Sequence, residues 1–446
     1  MDFNWKVMKK TMILLLLVLV QMHGEAQQKE WTLRECIDHA LEHNITVRQS
    51  ALNVEQKEID LNTAKGRRLP GVSASGSESL SFGRGLSADN TYTNSNTSST
   101  SFNLGMDVPV FQGLQINNGV KMGRLDLEAA MADLAKAKDD VRVSVARAYV
   151  QILYNQELLR VAVSQEEHDG MLLYQMEEKK KVGKASAADL AAQRATLAQS
   201  KVSRTQAEAN LNIAILDLTQ LLELPTPDGF AVAVPEADDF STDILLSPEV
   251  IYEQAVGIKP SVLSAELALD RADLAIASAK GAYMPSISLS AGLGSNFYTS
   301  SNMNYGKFLQ QMRNNFSQYV GLSLNIPIFT RFSTRNNVRT AKLNKFNQQL
   351  QVESVKKALY KEIQQAYYNA LNSQAKYNGS IEARESANEH YRLTEEKYLN
   401  GKAGIAEYND AKNNFLRAES ELLRSRYECL FQVRLLDFYR GGDIVM

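Results

Sequence analysis

The sequence has few cysteines and no long hydrophobic run, and each absence excludes a class of protein. Cys36 and Cys429 are the only cysteines among 446 residues. Two are too few for the disulfide framework of a small secreted scaffold; we expect free thiols, with one bridge between them left open. The apolar run at residues 12–20 has nine residues, whereas a membrane-spanning helix needs about 20. No comparable run follows downstream, so any association with a membrane must come from another kind of structure.

The amino terminus has the layout of a secretory signal peptide. Lys6, Lys9 and Lys10 precede the apolar run, and a polar stretch with Gly24 and Ala26 follows it. A basic start, a short apolar segment and small residues at a cleavage site are typical of such signals. We therefore predict a signal peptide over residues 1–26 and export of the rest. No cysteine stands at the cleavage point to accept a lipid.

The rest of the chain contains an internal repeat. One group of residues recurs 215 positions later and a second group recurs 218 positions later. The first group is Ala64, Lys65, Gly66 and Pro70, which recur as Ala279, Lys280, Gly281 and Pro285. The second is Pro109, Phe111, Ala148, Tyr149, Gly183, Lys184 and Ala185, which recur as Pro327, Phe329, Ala366, Tyr367, Gly401, Lys402 and Ala403. Such a register predicts two tandem structural repeats, at residues 27–235 and 236–446.

The uneven spread of proline divides each repeat. Residues 110–224 and 328–446 contain none of the nine prolines, and proline is what interrupts helix interiors. One helix over residues 113–181 would be about 100 Å long at 1.5 Å per residue. Gly183 and Gly401 then lie where each long helix must reverse, at the tips of two helical hairpins.

The segments between the prolines have the pattern of β-strands. Apolar and polar residues alternate with period two, most clearly from Phe102 to Val110 and from Val320 to Ile328. We predict strands near residues 72–86, 99–110, 286–298 and 318–329, the first interrupted by Glu78. Polar loops over residues 87–98 and 299–317 join them. The strand–helix transitions are expected at Pro70, Pro109, Pro285 and Pro327.

Four strands with one apolar and one polar face suit a membrane barrel but cannot close one. The smallest such barrels have eight strands, so two chains would supply eight and three would supply twelve. The alternative is a soluble antiparallel sheet packed on its own helices.

These features together resemble the TolC-like outer-membrane efflux proteins. Four features carry the resemblance. Two are the Ala-Lys-Gly-x-x-x-Pro motif before each first strand and the Pro-x-Phe motif at the end of each second strand, and a third is the hairpin from Tyr398 to Ala411. The fourth is the opening segment, with Trp31, Thr32, Leu33, Ala40, Leu41, Asn44 and Val47. The resemblance implies an α+β membrane protein in which a homotrimer forms a twelve-stranded outer-membrane β-barrel continuous with a long periplasmic α-helical barrel.

The resemblance also implies a function and partners. The protein would be the passive exit duct of a tripartite efflux or type I secretion system. It would be surrounded by outer-membrane lipid and would dock onto an inner-membrane pump through a periplasmic adaptor protein. The tip turns at Gly183, Lys184, Gly401 and Lys402 would be the docking surface. The sequence does not identify the cargo, the pump or the adaptor, and nothing in it indicates a nucleic-acid partner.

The resemblance places acidic rings of the pore on Glu407 and Asp410. These positions are three apart, so they share one helical face. Threefold symmetry would give six carboxylates, which would favour cations and bind a blocking multivalent metal ion. The alternative is an ordinary solvated helix face.

A polar latch of the closed state is implied at Asp189 and Tyr398. The arginine of the family pattern is replaced by Ala403, and the adjacent Lys402 would point elsewhere on the helix. The latch is therefore weaker or differently built. The run Lys179, Lys180 and Lys181 either compensates by meeting acidic groups on a neighbour or is a solvated charge run.

No catalytic or cofactor-binding constellation is evident in the sequence. It has no glycine-rich phosphate loop and no nucleophile elbow, so we expect no enzyme and no cofactor. The most specific alternative is a metal site formed by Cys36, His39 and His43 near one helix face. A structural zinc site normally has four ligands, and no fourth ligand is evident.

A periplasmic coiled-coil adaptor or scaffold would explain the helices but not the duplicated strands. An envelope hydrolase would need a catalytic nucleophile and a general base, and neither is evident in the sequence.

Overall fold

The computed structural model describes residues 30–86, 90–234, 245–301, 303 and 305–444. The predicted signal peptide lies outside the described residues. The described chain divides into two compact units. Unit 1 draws on residues 30–49, 135–259 and 358–444, and unit 2 on residues 50–134 and 260–357. Each unit takes residues from both repeats, so the repeats at 27–235 and 236–446 are not separate compact bodies.

The first repeat contains most of the strands. In chain order its elements are β1 (Glu30–Trp31), α1 (Leu33–His43), α2 (Ile45–Gly66), β2 (Gly71–Ser81), β3 (Arg84–Leu86), β4 (Tyr92–Asn94), β5 (Thr97–Gln112), α3 (Gln115–Lys181), α4 (Ala187–Leu221) and β6 (Ala231–Val232). The second repeat contains α5 (Pro248–Ala255), α6 (Pro260–Gly281), β7 (Ser286–Ser300), α7 (Phe308–Asn314), β8 (Ser317–Asn325), α8 (Ser333–Leu399) and α9 (Ile405–Tyr439).

The helices reproduce the sequence repeat in their lengths. Helices α3 and α8 each have 67 residues, and α4 and α9 each have 35. All four bounds of the second pair lie 218 positions after those of the first. Helices α2 and α6 both have 22 residues and keep the 215-residue offset. None of the helices in the described part of the chain is long and apolar enough to cross a membrane.

Strands β2, β5, β7 and β8 form one antiparallel sheet in unit 2, in that order. The central β5–β7 pair joins the two repeats, which is why the compact units cut across them. Within the described chain β2 and β8 are the edge strands, each with one neighbour.

The sheet differs from the predicted strands at three places. The first strand ends at Ser81 instead of continuing to 86, because the chain turns at Gly83 (φ +141°) and β3 pairs with β4. The fourth strand ends at Asn325 instead of 329, since Pro327 has no N–H to donate. The predicted loop 299–317 contains helix α7.

Pro109 does not end its strand as predicted. Strand β5 continues to Gln112 with a register shift against β7 between Pro109 and Phe111. Strand β2 begins opposite Asp107, so β5 has a partner on only one side from there on. A bulge on a half-paired segment tolerates a residue without an N–H. Pro70 and Pro285, in contrast, directly precede the first residues of β2 and β7.

The apolar face of the sheet is exposed in the single chain. Along β8, Val320 is 78% exposed, Leu322 70% and Leu324 59%. The same face includes Val72 and Leu80 on β2 and Phe102 and Leu104 on β5, all at least 45% exposed. A soluble sheet packed on its own helices would bury these side chains, so the chain does not show that arrangement.

Candidate functional site

The two hairpin tips share one turn geometry. Gly183 and Gly401 have φ values of +77° and +70°, a region that glycine enters without strain. The amide of Lys184 donates to the Lys179 carbonyl, and that of Lys402 to the Lys397 carbonyl, both at 2.8 Å. These bonds close the carboxyl ends of α3 and α8 in Schellman motifs. Because the backbone alone builds each turn, the side chains of Lys184 and Lys402 stay exposed.

Asp189 forms part of a helix cap. The Ser186 hydroxyl accepts a hydrogen bond from the Asp189 amide at 3.0 Å, and the Asp189 carboxylate accepts from the Ser186 amide at 3.2 Å and from its hydroxyl at 2.7 Å. This is a capping box at the start of α4. The predicted latch residue therefore also stabilises its own hairpin.

Glu407 occupies the equivalent position in the second repeat but lacks that partner. Gly404 stands at the amino-terminal cap of α9, where no side-chain cap bond forms. Glu407 and Asp410 are both exposed. Neither carboxylate has a hydrogen-bond or ion-pair partner within the described residues. Glycine in place of serine thus leaves Glu407 without a capping partner and available to solvent or ions.

The ring of Tyr398 lies between the two hairpins. It stacks on Tyr408 with centroids 4.9 Å apart, and the Lys179 ammonium lies 5.6 Å from its centroid. Burial raises the pKa of the Tyr398 phenol, and the nearby negative charge of Asp189 raises it further. Asp189 thus acts on Tyr398 electrostatically, although no hydrogen bond joins them in the described chain.

The lysine run before Gly183 makes contacts within the chain. Lys179 contacts the Tyr398 ring as above, and Lys181 pairs with Glu178 one turn earlier at 2.5 Å. Ala403, in the position of the missing arginine, offers no charge. The cation that lies over the Tyr398 ring is thus supplied by the first hairpin.

A buried polar cluster was missed from the sequence. Asp169 of α3 forms an ion pair with Lys412 of α9, and the two side chains are 0% and 3% exposed. Beside them, His168 Nε2 lies 2.7 Å from the Tyr408 hydroxyl. The sequence did carry a signal: Lys412 follows Tyr408 by four positions and precedes Phe415 by three, so a charge interrupts an apolar helical stripe.

The predicted alternative metal site is not formed. Among the residues the structure describes, no group of three or more His, Cys, Asp or Glu side chains is arranged to hold a metal. His39 and His43 stack with centroids 4.1 Å apart, and His43 Nδ1 lies 3.0 Å from the His39 carbonyl oxygen. Cys36 and Cys429 are both buried, and no disulfide joins them.

Known proteins resemble this chain over most of its length. The sequence model of a family described as outer membrane efflux protein matches residues 36–223 and 251–442. The outer membrane protein TolC of Escherichia coli (strain K12) is 24% identical over 435 residues, covering 95% of this chain and 84% of that protein.

Solved structures share the fold. The Campylobacter jejuni CmeC outer membrane channel has a TM-score of 0.77 and 20% identity, covering 93% of this chain and 87% of that one. The Neisseria gonorrhoeae MtrE outer membrane channel, described in its open state, has a TM-score of 0.73 and 21% identity, covering 93% of this chain and 89% of that one.

Proposed function

Since the chain belongs to the outer membrane efflux protein family, we propose that three copies close one twelve-stranded barrel and one twelve-helix periplasmic tunnel. The protein is an outer-membrane exit duct for efflux or type I secretion. Its family consists of outer-membrane channels, which are not enzymes.

The exposed apolar face of the four-stranded sheet is the observation that carries the proposal. Side chains such as Val320 and Leu322 are at least 70% exposed, and burying them in lipid removes this apolar surface from water. Lipid, however, tolerates no open sheet edge, since each unpaired backbone group there costs several kcal/mol. Among the residues that the structure describes, strands β2 and β8 each have one open edge. Pairing β8 of one copy with β2 of the next satisfies both edges.

The number of copies follows from the family resemblance and from strand counting. Two copies would supply eight strands, the smallest closed barrel, and three would supply twelve. Three copies would also bring six hairpins together, each made of a 67-residue and a 35-residue helix. Crosslinking and native mass measurement of the detergent-extracted protein would distinguish three copies from two.

We propose that Glu407 and Asp410 form rings of carboxylates at a constriction of the tunnel. Their support is their exposure and their lack of partners in the described chain. Six carboxylates around one axis would favour cations over anions.

Asp189 and Tyr398 are proposed to latch the closed state. The support is the electrostatic effect of Asp189 on Tyr398, the contact of Lys179 with the Tyr398 ring, and the open state described for MtrE. The exposed turns at Gly183, Lys184, Gly401 and Lys402 would contact a periplasmic adaptor that links the duct to an inner-membrane pump. The pump supplies the energy and selects the cargo, while the duct conducts passively.

Planar-bilayer conductance tests the duct and its acidic rings. The wild-type oligomer should form cation-selective channels that a trivalent lanthanide ion blocks from the side of the hairpin tips. Glu407→Gln with Asp410→Asn should abolish the block and reduce cation selectivity. Glu385→Gln with Glu389→Gln, two exposed acids of α8, should retain both. Channels that remain blocked in the first variant would contradict the rings, and a monomer without channels would contradict the duct.

A further inference from the structure

The buried ion pair joins the two hairpins of one chain. The first hairpin is α3 and α4 with its turn at Gly183, and the second is α8 and α9 with its turn at Gly401. Asp169 belongs to the first and Lys412 to the second. Asp169 lies twelve residues before the end of α3, about 18 Å along the helix axis at 1.5 Å per residue. The pair is thus close to the tips but shielded from solvent.

Further hydrogen bonds satisfy the Asp169 carboxylate. Gln165 donates to Oδ2 at 2.7 Å, and the Ser200 hydroxyl donates to the same oxygen. Gln193 of α4 donates to the Asp169 carbonyl at 3.3 Å. Burial lowers the pKa of Lys412, while the charge of Asp169 opposes that shift. An apolar pair of similar volume is often as stable as a buried ion pair, whereas removing only one partner leaves a buried charge uncompensated and is strongly destabilising.

A second set of contacts extends the cluster to α8. The hydroxyls of Tyr391 and Tyr408 are 3.1 Å apart, and Tyr391 donates to Glu395 at 3.2 Å. His168 lies 2.7 Å from Tyr408. The cluster therefore includes side chains from all four hairpin helices.

The repeat makes the placement of this pair informative. Position 194, which is 218 before Lys412, holds Arg194, and position 387, which is 218 after Asp169, holds Ala387. Arg194 is exposed and pairs with Glu177 inside the first hairpin at 3.0 Å. The link between hairpins therefore exists at only one of the two equivalent places, and it lies within a single chain.

We propose that Asp169 and Lys412, with Ser200 and Gln165, form an interhairpin clamp that holds the tunnel closed and must separate when its inner end opens. The proposal rests on the proposed function, because it assumes that the hairpins line a duct. Moving the second hairpin away from the first separates Asp169 from Lys412 in an interior that is shielded from solvent. The uncompensated charges penalise that movement, which biases the duct toward the closed state.

Conductance of matched variants tests the clamp. Lys412→Met should raise basal conductance about tenfold, within the range typical of coupling between two sites. Arg194→Met, at the equivalent position of the first repeat, should leave it unchanged. Asp169→Asn keeps the shape of the side chain and should raise basal conductance as Lys412→Met does. The effect of breaking the ion pair can therefore still be measured if one of the two variants fails to assemble.

A disulfide provides a readout that does not need a channel. The Asn409 amide donates to the Thr196 hydroxyl at 3.5 Å, from α9 to α4. The thiols of a Thr196→Cys, Asn409→Cys double variant should oxidise to a disulfide quickly in the otherwise native chain and more slowly with Lys412→Met. Once oxidised they should return the conductance of that variant to the native level, and a reductant should reverse this. Oxidation and conductance that are the same in Lys412→Met, Asp169→Asn and Arg194→Met would overturn the clamp. An oligomer that conducts neither in its native form nor as Lys412→Met or Asp169→Asn would overturn the duct, while the oxidation rates would still decide the clamp.

Discussion

Asp189 and Glu407 occupy equivalent positions in the two repeats but have different surroundings. The first is held by Ser186 in a capping box, whereas the second follows Gly404 and has no such partner. One serine-to-glycine difference thus separates a structural carboxylate from an available one. The resemblance alone assigned Asp189 to the latch, and the sequence pattern Ser186-x-x-Asp189 was the signal for the cap.

Alanine variants separate the cap from the latch. Ser186→Ala and Asp189→Ala should each lower the free energy of unfolding, by about 1 kcal/mol for the loss of an amino-terminal cap. Glu407→Ala should leave it nearly unchanged. Only Asp189→Ala should also raise basal conductance, because only it removes the charge beside Tyr398. Equal conductance in Ser186→Ala and Asp189→Ala would mean that Asp189 acts through the cap.

His168 should make the stability of the hairpins depend on pH. Burial, followed by the positive charge of Lys412, lowers its pKa below the usual 6.5, while Glu395 and Asp169 oppose the shift. The charged or titratable side chains around it are therefore Lys412, Asp169 and Glu395, with the phenols of Tyr391 and Tyr408.

The neutral imidazole is favoured in the folded state, so its stabilisation is complete above the unfolded pKa. It is lost as the pH falls from about 6.5 through the lower folded value. The midpoint of thermal unfolding should fall between pH 7.5 and pH 5.5 by less in His168→Gln than in the native protein. His390→Gln, at an exposed position of α8, should follow the native protein. An identical decline in His168→Gln would contradict the assignment.

At the scale of elements, the features set by long patterns were predictable from the sequence. Proline-free stretches longer than 100 residues and a shared 218-residue offset define α3, α4, α8 and α9. Period-two alternation defines the cores of the four sheet strands. Strands β3 and β4 and helix α7 have three, three and seven residues, too few for a periodic pattern. They depend on the turn at Gly83 and on Gln311, which bonds the Tyr298 backbone at 3.0 and 2.9 Å.

The faces of β8 predict opposite effects for neighbouring lysine substitutions. Leu322→Lys would place a charge on the exposed apolar face, where lysine near the middle of the membrane costs about 2–4 kcal/mol. Ser323→Lys changes the opposite, polar face and should be tolerated. The amount of heat-stable oligomer in outer-membrane fractions should therefore fall for Leu322→Lys and stay native for Ser323→Lys, which should instead shift ion selectivity. The reverse order would show that the predicted apolar face does not meet lipid.

At the scale of the whole molecule, the single chain has surfaces that the proposed assembly would cover. It exposes an apolar sheet face and leaves the outer edges of β2 and β8 without partners in the described chain. From the sequence, the count of four strands predicts that several copies are needed to close a barrel, and this stays a prediction. The sequence did not predict the Asp169–Lys412 pair, because a contact between residues 243 positions apart depends on how four helices pack.

Proline substitutions in β8 test whether its open edge is paired in the assembled protein. Ser323 and Leu324 face Ser288 and Ile287 of β7. Successive amides along an antiparallel strand point to opposite edges. One of these two amides therefore faces β7 and the other faces the open edge. Proline removes the donor and is tolerated only where the edge is free.

If β8 pairs with β2 of a neighbouring copy, Ser323→Pro and Leu324→Pro should both abolish the heat-stable oligomer, since each removes a hydrogen bond from a ladder. Gels of unheated samples and native mass measurement would report this. An oligomer that persists in one variant and disappears in the other would show that only the β7 side is paired. In that case the sheet edge is free, and the barrel does not close through β8.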